Sequence, residues 1–358
     1  MENPKHLTDF KVENFKCFES FEMNDIGQFN LIVGDNNVGK TSVLEALLFD
    51  GDVSSLNWYW REIVKSRNNF NSDKEEDIDI YPFIYNAKNS DKKIVFRLNS
   101  VTTSVFYRRL NELDKNEQNL LEKSVFYGFG RKLQPENYFL VGYKGENLDS
   151  LVSQFEMKRR LDNYVPIIYL KNTYGFDLVN QYSSQQNENK DTREFYIQQL
   201  KRHFIRDLES MEVITAHPFG PQITLSLEGI QRTMPLSSQG EGSIKLFRIL
   251  LEINECAGQK LMIDEIDAGV HFSRLPNFWK TILTAAMEKK VQLFMTTHSQ
   301  ECIKYYKDWQ KKRYDKWRKK NPKADYYHFL KSVGYATGDK YTKELKPKVA
   351  WVQKHLKL

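Results

Sequence analysis

The segment FNLIVGDNNVGKTSVLEALL, residues 29–48, decides the fold. Phe29–Val33 is a short apolar run of the buried-strand type, ending at a glycine. Gly34–Thr41 matches the pattern GxxxxGK[ST] without a gap. From Thr41 onward, Val43, Leu44, Ala46, Leu47 and Leu48 predict a largely buried helix. Strand, glycine-bounded loop and helix form the setting in which backbone amides close around phosphates. The helix N-terminus adds positive potential, Lys40 reaches the β- and γ-phosphates, and Thr41 offers its hydroxyl to Mg²⁺.

Two further motifs stand at the other end of the chain. Lys260–Ile263 is an apolar strand running into Asp264 and Glu265. Asp264 is placed to hold Mg²⁺ through Thr41 or its water, and Glu265 to polarise the water that attacks the γ-phosphate. A helix over Phe272–Glu288 separates this strand from a second, Val291–Thr296, which leads into Thr297, His298 and Ser299. Strand, helix, strand implies a right-handed crossover with parallel strands, so His298 emerges at the same edge as Glu265 and the phosphate loop. There His298 can hydrogen-bond the γ-phosphate and report its presence. Paired acids at a strand end also occur at plain solvent edges, and a lone histidine there is often structural. Their order behind a phosphate loop favours the chemical reading. Pro235–Gly242 (PLSSQGEG) sits at the start of a helix over Ser243–Asn254 and reads either as an anion site or only as a helix cap.

Between these motifs the signals are weaker. The first 28 residues read as one or two strands. Strands are expected at Lys93–Asn99, Thr102–Arg108, Tyr138–Tyr143, Pro166–Leu170 and Gln222–Leu227. The polar stretches at 66–80 and 86–93 read as loops, as does the Asn/Gln/Ser-rich run Asn180–Arg193, with a helix near Glu194–Leu208. A helix is predicted over Tyr305–Lys319. No heptad pattern is sustained, so no long coiled-coil arm is expected, and no internal repeat is present.

Composition bounds the rest. The chain has 358 residues, 40% hydrophobic and 13% aromatic, enough for one large α/β domain or a core domain with an insertion. No apolar run approaches the roughly 20 residues that span a bilayer, and MENPKHLTDF lacks a signal-peptide core, so a cytoplasmic, membrane-free protein is expected. Cys17, Cys256 and Cys302 are far apart and form no CxxC pair, which argues against a disulfide framework or thiolate zinc site. The seven histidines show no HExxH-type spacing, so no dedicated transition-metal site is expected. Charge is uneven: residues 301–358 carry 17 Lys/Arg against 6 Asp/Glu, whereas the first 300 carry 36 against 41. The tail places aromatics among cations (KKRYDKWRKK, residues 311–320), a composition that suits nucleic-acid phosphates with base stacking, a protein surface, or plain solvated charge.

The ordered set of IVGDNNVGKT (32–41), DEIDAGVH (264–271) and TTHS (296–299), with a Ser/Gly/Glu segment between, resembles the ABC-type ATPase heads. Within them it is most similar to the RecF/SMC/OLD-related bacterial AAA ATPases. The likeness covers about residues 1–50 and 160–302. It implies an α/β P-loop NTPase fold with an antiparallel N-terminal strand layer, and a division into an N-terminal lobe (1–50), a mixed or helical insertion (51–160), a C-terminal lobe (161–302) and a basic tail (303–358). The implied cofactors are ATP and Mg²⁺. The nucleotide would be held by Gly34, Asn36, Asn37, Val38 and Gly39 of the loop, then Lys40, Thr41 and Ser42. Thr41 and Asp264 would hold the metal, and Glu265 and His298 would be catalytic. Such heads dimerise head to tail with ATP between them, so Ser238, Gly240 and Glu241 would form the signature that meets the opposite subunit's γ-phosphate, with Ala268–His271 as the D-loop. Here the signature is Ser-Ser-Gln-Gly-Glu where the usual pattern is Leu-Ser-Gly-Gly-Gln/Glu, and no segment is assigned as the glutamine loop. Only 59 residues follow Ser299, without an acidic DxD pattern, so no Toprim-type nuclease is expected in the chain. Solitary heads of this kind resemble ATPase subunits of anti-phage defence systems, in which a separate effector such as a nuclease acts. A RecF-like DNA repair ATPase, or a nucleotide-gated scaffold with little turnover, are the other readings.

Overall fold

The phosphate loop follows three strands: β1 (Phe10–Phe15), β2 (Phe18–Met23) and β3 (Phe29–Val33), and leads into α1 (Lys40–Ala46). This architecture comes from a computed structural model that describes residues 6–24, 26–49, 93–119, 138–144, 147–153, 167–168, 176–188, 190–216 and 220–320. The loop expectations at 66–80 and 86–92 and the tail beyond residue 320 lie outside them. β4 (Ile94–Leu98), β5 (Val101–Arg109), β6 (Tyr138–Lys144) and β7 (Asn147–Ser153) follow, the first three close to predicted strands. They extend the N-terminal antiparallel layer into a six-stranded sheet of order β2-β1-β4-β5-β6-β7, with Val12 opposite Phe96 where β1 meets β4.

After β8 (Ile167–Ile168) come α2 (Phe176–Glu188) and α3 (Lys190–His203), then an antiparallel ribbon of β9 (Leu208–Ala216), β10 (Gly220–Leu227) and β11 (Met234–Pro235). The chain continues through α4 (Glu241–Glu255), β12 (Lys260–Ile263), α5 (Leu275–Glu288), β13 (Gln292–Thr297) and α6 (Gln300–Lys320). No helix among the described residues is long and apolar enough to cross a membrane.

The centre is a parallel sheet of order β3-β13-β12-β8. β3 and β13 are buried on both faces, which is why they read as continuous apolar runs rather than alternating ones. Successive residues nonetheless serve different cores. Leu31, Val33, Leu261, Ile263, Leu293 and Met295 pack with the helices α2–α6. Ile32, Met262 and Phe294 point the other way, into a cluster with Val43, Leu44 and Leu47 of the α1 segment and with Phe10, Phe15 and Phe96 of the antiparallel sheet. Asn30 breaks the apolar run at no cost, because its buried amide donates to Gly27 O (2.8 Å) and Leu293 O (3.1 Å) and accepts from the Gly27 N–H (3.0 Å).

The run Asn180–Arg193 is not a loop. It is helical in α2 and α3 on both sides of residue 189. Leu178, Val179, Tyr182 and Gln185 recur at helical spacing and are buried, while Asn180 and Ser184 face solvent, so the polar composition describes mainly the outer face. Gln185 is buried without penalty: its amide donates to Leu251 O (3.2 Å) and Glu255 (3.0 Å), and its oxygen accepts from the Tyr196 hydroxyl. The helix expected to reach Leu208 stops at His203, and Leu208 begins β9, a strand with no clear sequence signal. The expected helix Phe272–Glu288 begins as a 3₁₀ turn at Phe272–Arg274 before α5.

Candidate active site

Register explains why the motifs meet. β13 lies between β3 and β12, with Thr297 opposite Val33 and Met295 opposite Ile263. One residue further along, the phosphate loop, Asp264–Glu265 and His298 therefore share the carboxyl edge of the sheet, where ligands of open α/β sheets bind. The parallel arrangement and the common edge agree with the sequence expectation.

The loop closes tightly at Gly39, which has φ 96° and caps α1. A Cβ there would lie 2.6 Å from Cys17 Sγ and 3.0 Å from Phe18 Cζ, so both backbone and space require glycine. Asn37 also takes a positive φ, 64°, a conformation asparagine tolerates better than most residues. Lys40 is only 7% exposed and folds back over the loop, its ammonium donating to Gly34 O (2.8 Å) and Asp35 O (2.7 Å). Burial holds its pKa below the ordinary lysine value, opposed by the nearby charges of Asp264, Glu265 and Asp35.

Asp264 is gripped by two hydroxyls: Thr41 Oγ1 donates to Oδ2 (3.0 Å) and Thr296 Oγ1 to Oδ1 (2.6 Å). Thr296 Oγ1 in turn accepts the backbone N–H of Glu265 (2.8 Å), and Thr296 O accepts that of Ile266 (2.9 Å). One buried threonine thus sets both acidic residues relative to β13. Glu265 has φ 46°, a left-handed conformation that costs a non-glycine residue about 1–3 kcal/mol and persists where surrounding bonds enforce it. The neighbouring Thr297 hydroxyl donates to Asp267 and accepts the Ser299 N–H (3.0 Å), a second tie between the same two strand ends. His298 itself is exposed at the tip of β13.

The structure therefore gathers Lys40, Thr41, Asp264 and Glu265, with Gly34–Ser42 and His298 along the same edge. Ser238, Gly240 and Glu241 meet something else. They are exposed at the entry to α4, where Ser238 Oγ donates to Pro235 O (2.7 Å) and Gly240 caps the helix. This turn backs onto the Ala268–His271 segment: a Cβ on Gly242 would lie 3.1 Å from Gly269 O, and one on Gly269 3.0 Å from Glu241 Oε2.

Two residues of the site escape sequence reasoning. Thr296 reads only as part of a strand end, although parallel register alone sets it beside Asp264. Lys245 is 1% exposed, and its ammonium donates to Glu265 O and to Ala268 O (3.2 Å). Burial lowers its pKa to about 8 against the pull of Asp267, Glu265 and Asp264. Its signal is a cation set between apolar neighbours, Ile244 and Leu246, in the first half of the helix.

Comparison with known proteins gives a family match over most of the chain. A family model described as "AAA domain, putative AbiEii toxin, Type IV TA system" matches residues 29–303. The chain is 25% identical over 328 residues to a Helicobacter pylori protein described as an ATP/GTP phosphatase, covering 83% of this chain and 86% of that one. Among solved structures it is similar to the SMC head domain from Thermotoga maritima (13% identity, TM-score 0.40, 84% of this chain and 91% of that one). It is also similar to an SmcHead bound to the C-winged helix domain of ScpA (12% identity, TM-score 0.44, 84% and 92%). With a phosphate loop and paired acids on one sheet edge and the family match spanning both, the chain belongs to this AAA-domain family and is a P-loop ATPase.

Proposed function

We propose that the chain binds ATP with Mg²⁺ at Gly34–Ser42, hydrolyses it with Glu265, and assembles with a second copy while ATP is bound. The observation that carries this reading is the bonded series Thr41–Asp264–Thr296–Glu265, which joins the phosphate loop to the acid pair. The donor set suits Mg²⁺: a hydroxyl and a carboxylate are hard oxygens, and this ion takes few protein ligands and fills the rest with phosphate and water. Bound there, it would neutralise charge on the β- and γ-phosphates. Lys40 leaves the loop carbonyls for the phosphates, Glu265 orients and deprotonates the attacking water, and His298 meets the γ-phosphate from β13. The description of the Helicobacter pylori relative supports hydrolysis.

Exposure of Ser238, Gly240 and Glu241 supports a trans role, since these groups are free to reach the nucleotide of a partner head. The assembly would then control a separate effector protein in the cytoplasm, and we place that role in anti-phage defence; the family's description, "putative AbiEii toxin, Type IV TA system", leaves open the alternative that the chain is itself the effector. The experiment is light scattering on Glu265→Gln with and without ATP. Turnover should fall by roughly 10²-fold, the scale of a general base, while ATP still binds. The mutant should accumulate as an ATP-bound assembly, and adding Ser238→Arg should return it to ATP-bound monomers. An assembly state indifferent to ATP in both variants would remove nucleotide-gated dimerisation.

A second reading, nucleic-acid binding in the RecF manner, rests on α6. Its first half is anchored, with the Tyr306 ring tilted against Trp279 at 5.0 Å and Trp309 edge-on to Phe29 at 6.2 Å. Its second half holds Lys311, Lys312, Lys316, Lys319 and Lys320 in solvent. Turnover stimulated by DNA without any effector protein would favour it.

A further inference from the structure

α4 carries three buried charged residues, and they are handled differently. Arg248 and Glu252 pair with each other one turn apart (2.9 Å). Lys245 instead spends its ammonium on two backbone carbonyls, those of Glu265 and Ala268. An apolar residue would fix the helix to this loop without the penalty of burying a cation, so packing alone does not account for a lysine here. What the ammonium adds is directional. The N–H of Glu265 is already held by Thr296 Oγ1 (2.8 Å), and its carbonyl also accepts the local turn bond from Ala268 N–H (2.9 Å). Lys245 thus anchors, from outside the loop, the carbonyl side of a residue held at φ 46°.

We propose that Lys245 is a positioning residue that holds Glu265 in its left-handed conformation and couples it to the helix bearing the signature turn. The inference rests on the role of Glu265 given above. Lys245 lies one turn beyond Glu241, and Gly242 on the same turn backs onto Gly269 O. A displacement of Ser238 and Gly240 by a partner's nucleotide therefore has a route to the Glu265 carbonyl through the Gly240 cap and the first turns of α4. Without the ammonium, Glu265 is free to relax toward negative φ, which swings its carboxylate away from the attacking water while Lys40, Thr41 and Asp264 still hold ATP.

The test is a double-mutant cycle of Lys245→Met and Glu265→Gln on the full chain, read by steady-state ATP hydrolysis. Methionine keeps length and apolar contact and removes the donors. Lys245→Met should lower kcat by about 10- to 100-fold, the effect of misplacing a reacting group, with KM for ATP unchanged. In the Glu265→Gln background the same change should lower the residual rate less than about twofold, because the group it positions is already disabled. An equal loss in both backgrounds, an unchanged kcat, or a shift confined to KM overturns the proposal. If Lys245→Met does not fold, Lys245→Gln, which removes the charge but keeps a neutral amide, is read through the same cycle. Near-normal turnover by Glu265→Gln alone would instead remove the catalytic role of Glu265 and this inference with it. A strong Glu265→Gln defect beside an inert Lys245→Met sinks this inference only.

Discussion

At the carboxyl edge of the parallel sheet, Thr41, Asp264, Thr296 and Glu265 are bonded to one another. At the entry to α4, the similarly composed Ser238, Gly240 and Glu241 stand in solvent. Both segments pair small hydroxyl or glycine residues with an acid. The first is organised by register across three strands, so its geometry exists in a single chain. The second is organised only by a helix cap and the adjacent Gly269 turn, so its polar groups remain available to another molecule. In the function proposed above, both segments meet phosphate, and what the fold leaves exposed decides whether they do so in cis or in trans.

Lys40 is where this contrast is most vulnerable. Lys40→Ala should weaken ATP binding by about 10²-fold or more in the isolated chain, since a charge-assisted partner of the phosphates is removed. Calorimetry on folded protein at a concentration where the chain is monomeric measures it. Unchanged affinity would mean that the edge site is not complete in cis. Ser238→Arg, by contrast, should leave that affinity alone and act only on assembly.

Thr296→Val probes the same edge with a smaller effect. Valine fills the threonine's shape but strips Asp264 of a donor and leaves the Glu265 N–H without its acceptor. Unfolding free energy in urea should fall by about 1–3 kcal/mol, the cost of orphaning buried polar groups. A change below about 0.5 kcal/mol, the scale of a surface substitution, would show that Thr296 does not organise the edge.

The basic half of α6 should give the mildest response. If it meets nucleic acid, replacing Lys311, Lys312 and Lys316 with Gln should flatten the plot of log affinity against log salt by about 0.9 for every duplex phosphate no longer neutralised. Titration of labelled duplex at several salt concentrations reads this slope. No binding at low salt by the wild type would leave the helix to a protein partner.

Much of the site is legible in the chain itself. The phosphate loop, the acid pair and His298 sit at ends of strands whose apolar runs are unmistakable, and one crossover rule brings them to one edge. The helices α2 and α3 are not legible as a unit, because their polar residues outnumber the buried ones and only burial reveals the periodicity of Leu178, Tyr182 and Gln185. β9 escapes for a related reason. Its residues are fixed by pairing with β10, Met211 opposite Leu225 and Val213 opposite Ile223, rather than by their own alternation.

Contiguous residues dictate their own chemistry: a loop that needs glycine at 39, a lysine and a hydroxyl at 40 and 41, and carboxylates at 264 and 265. Those are short-range demands, met within one turn or one strand end. The distant groups that complete them are set by the tertiary structure. Thr296 meets Asp264 across 32 positions and Lys245 meets the Glu265 carbonyl across 20, and such pairings depend on strand register and helix docking. Those long-range terms are set by burying two apolar cores on opposite faces of one sheet, and no local stretch of the chain encodes them.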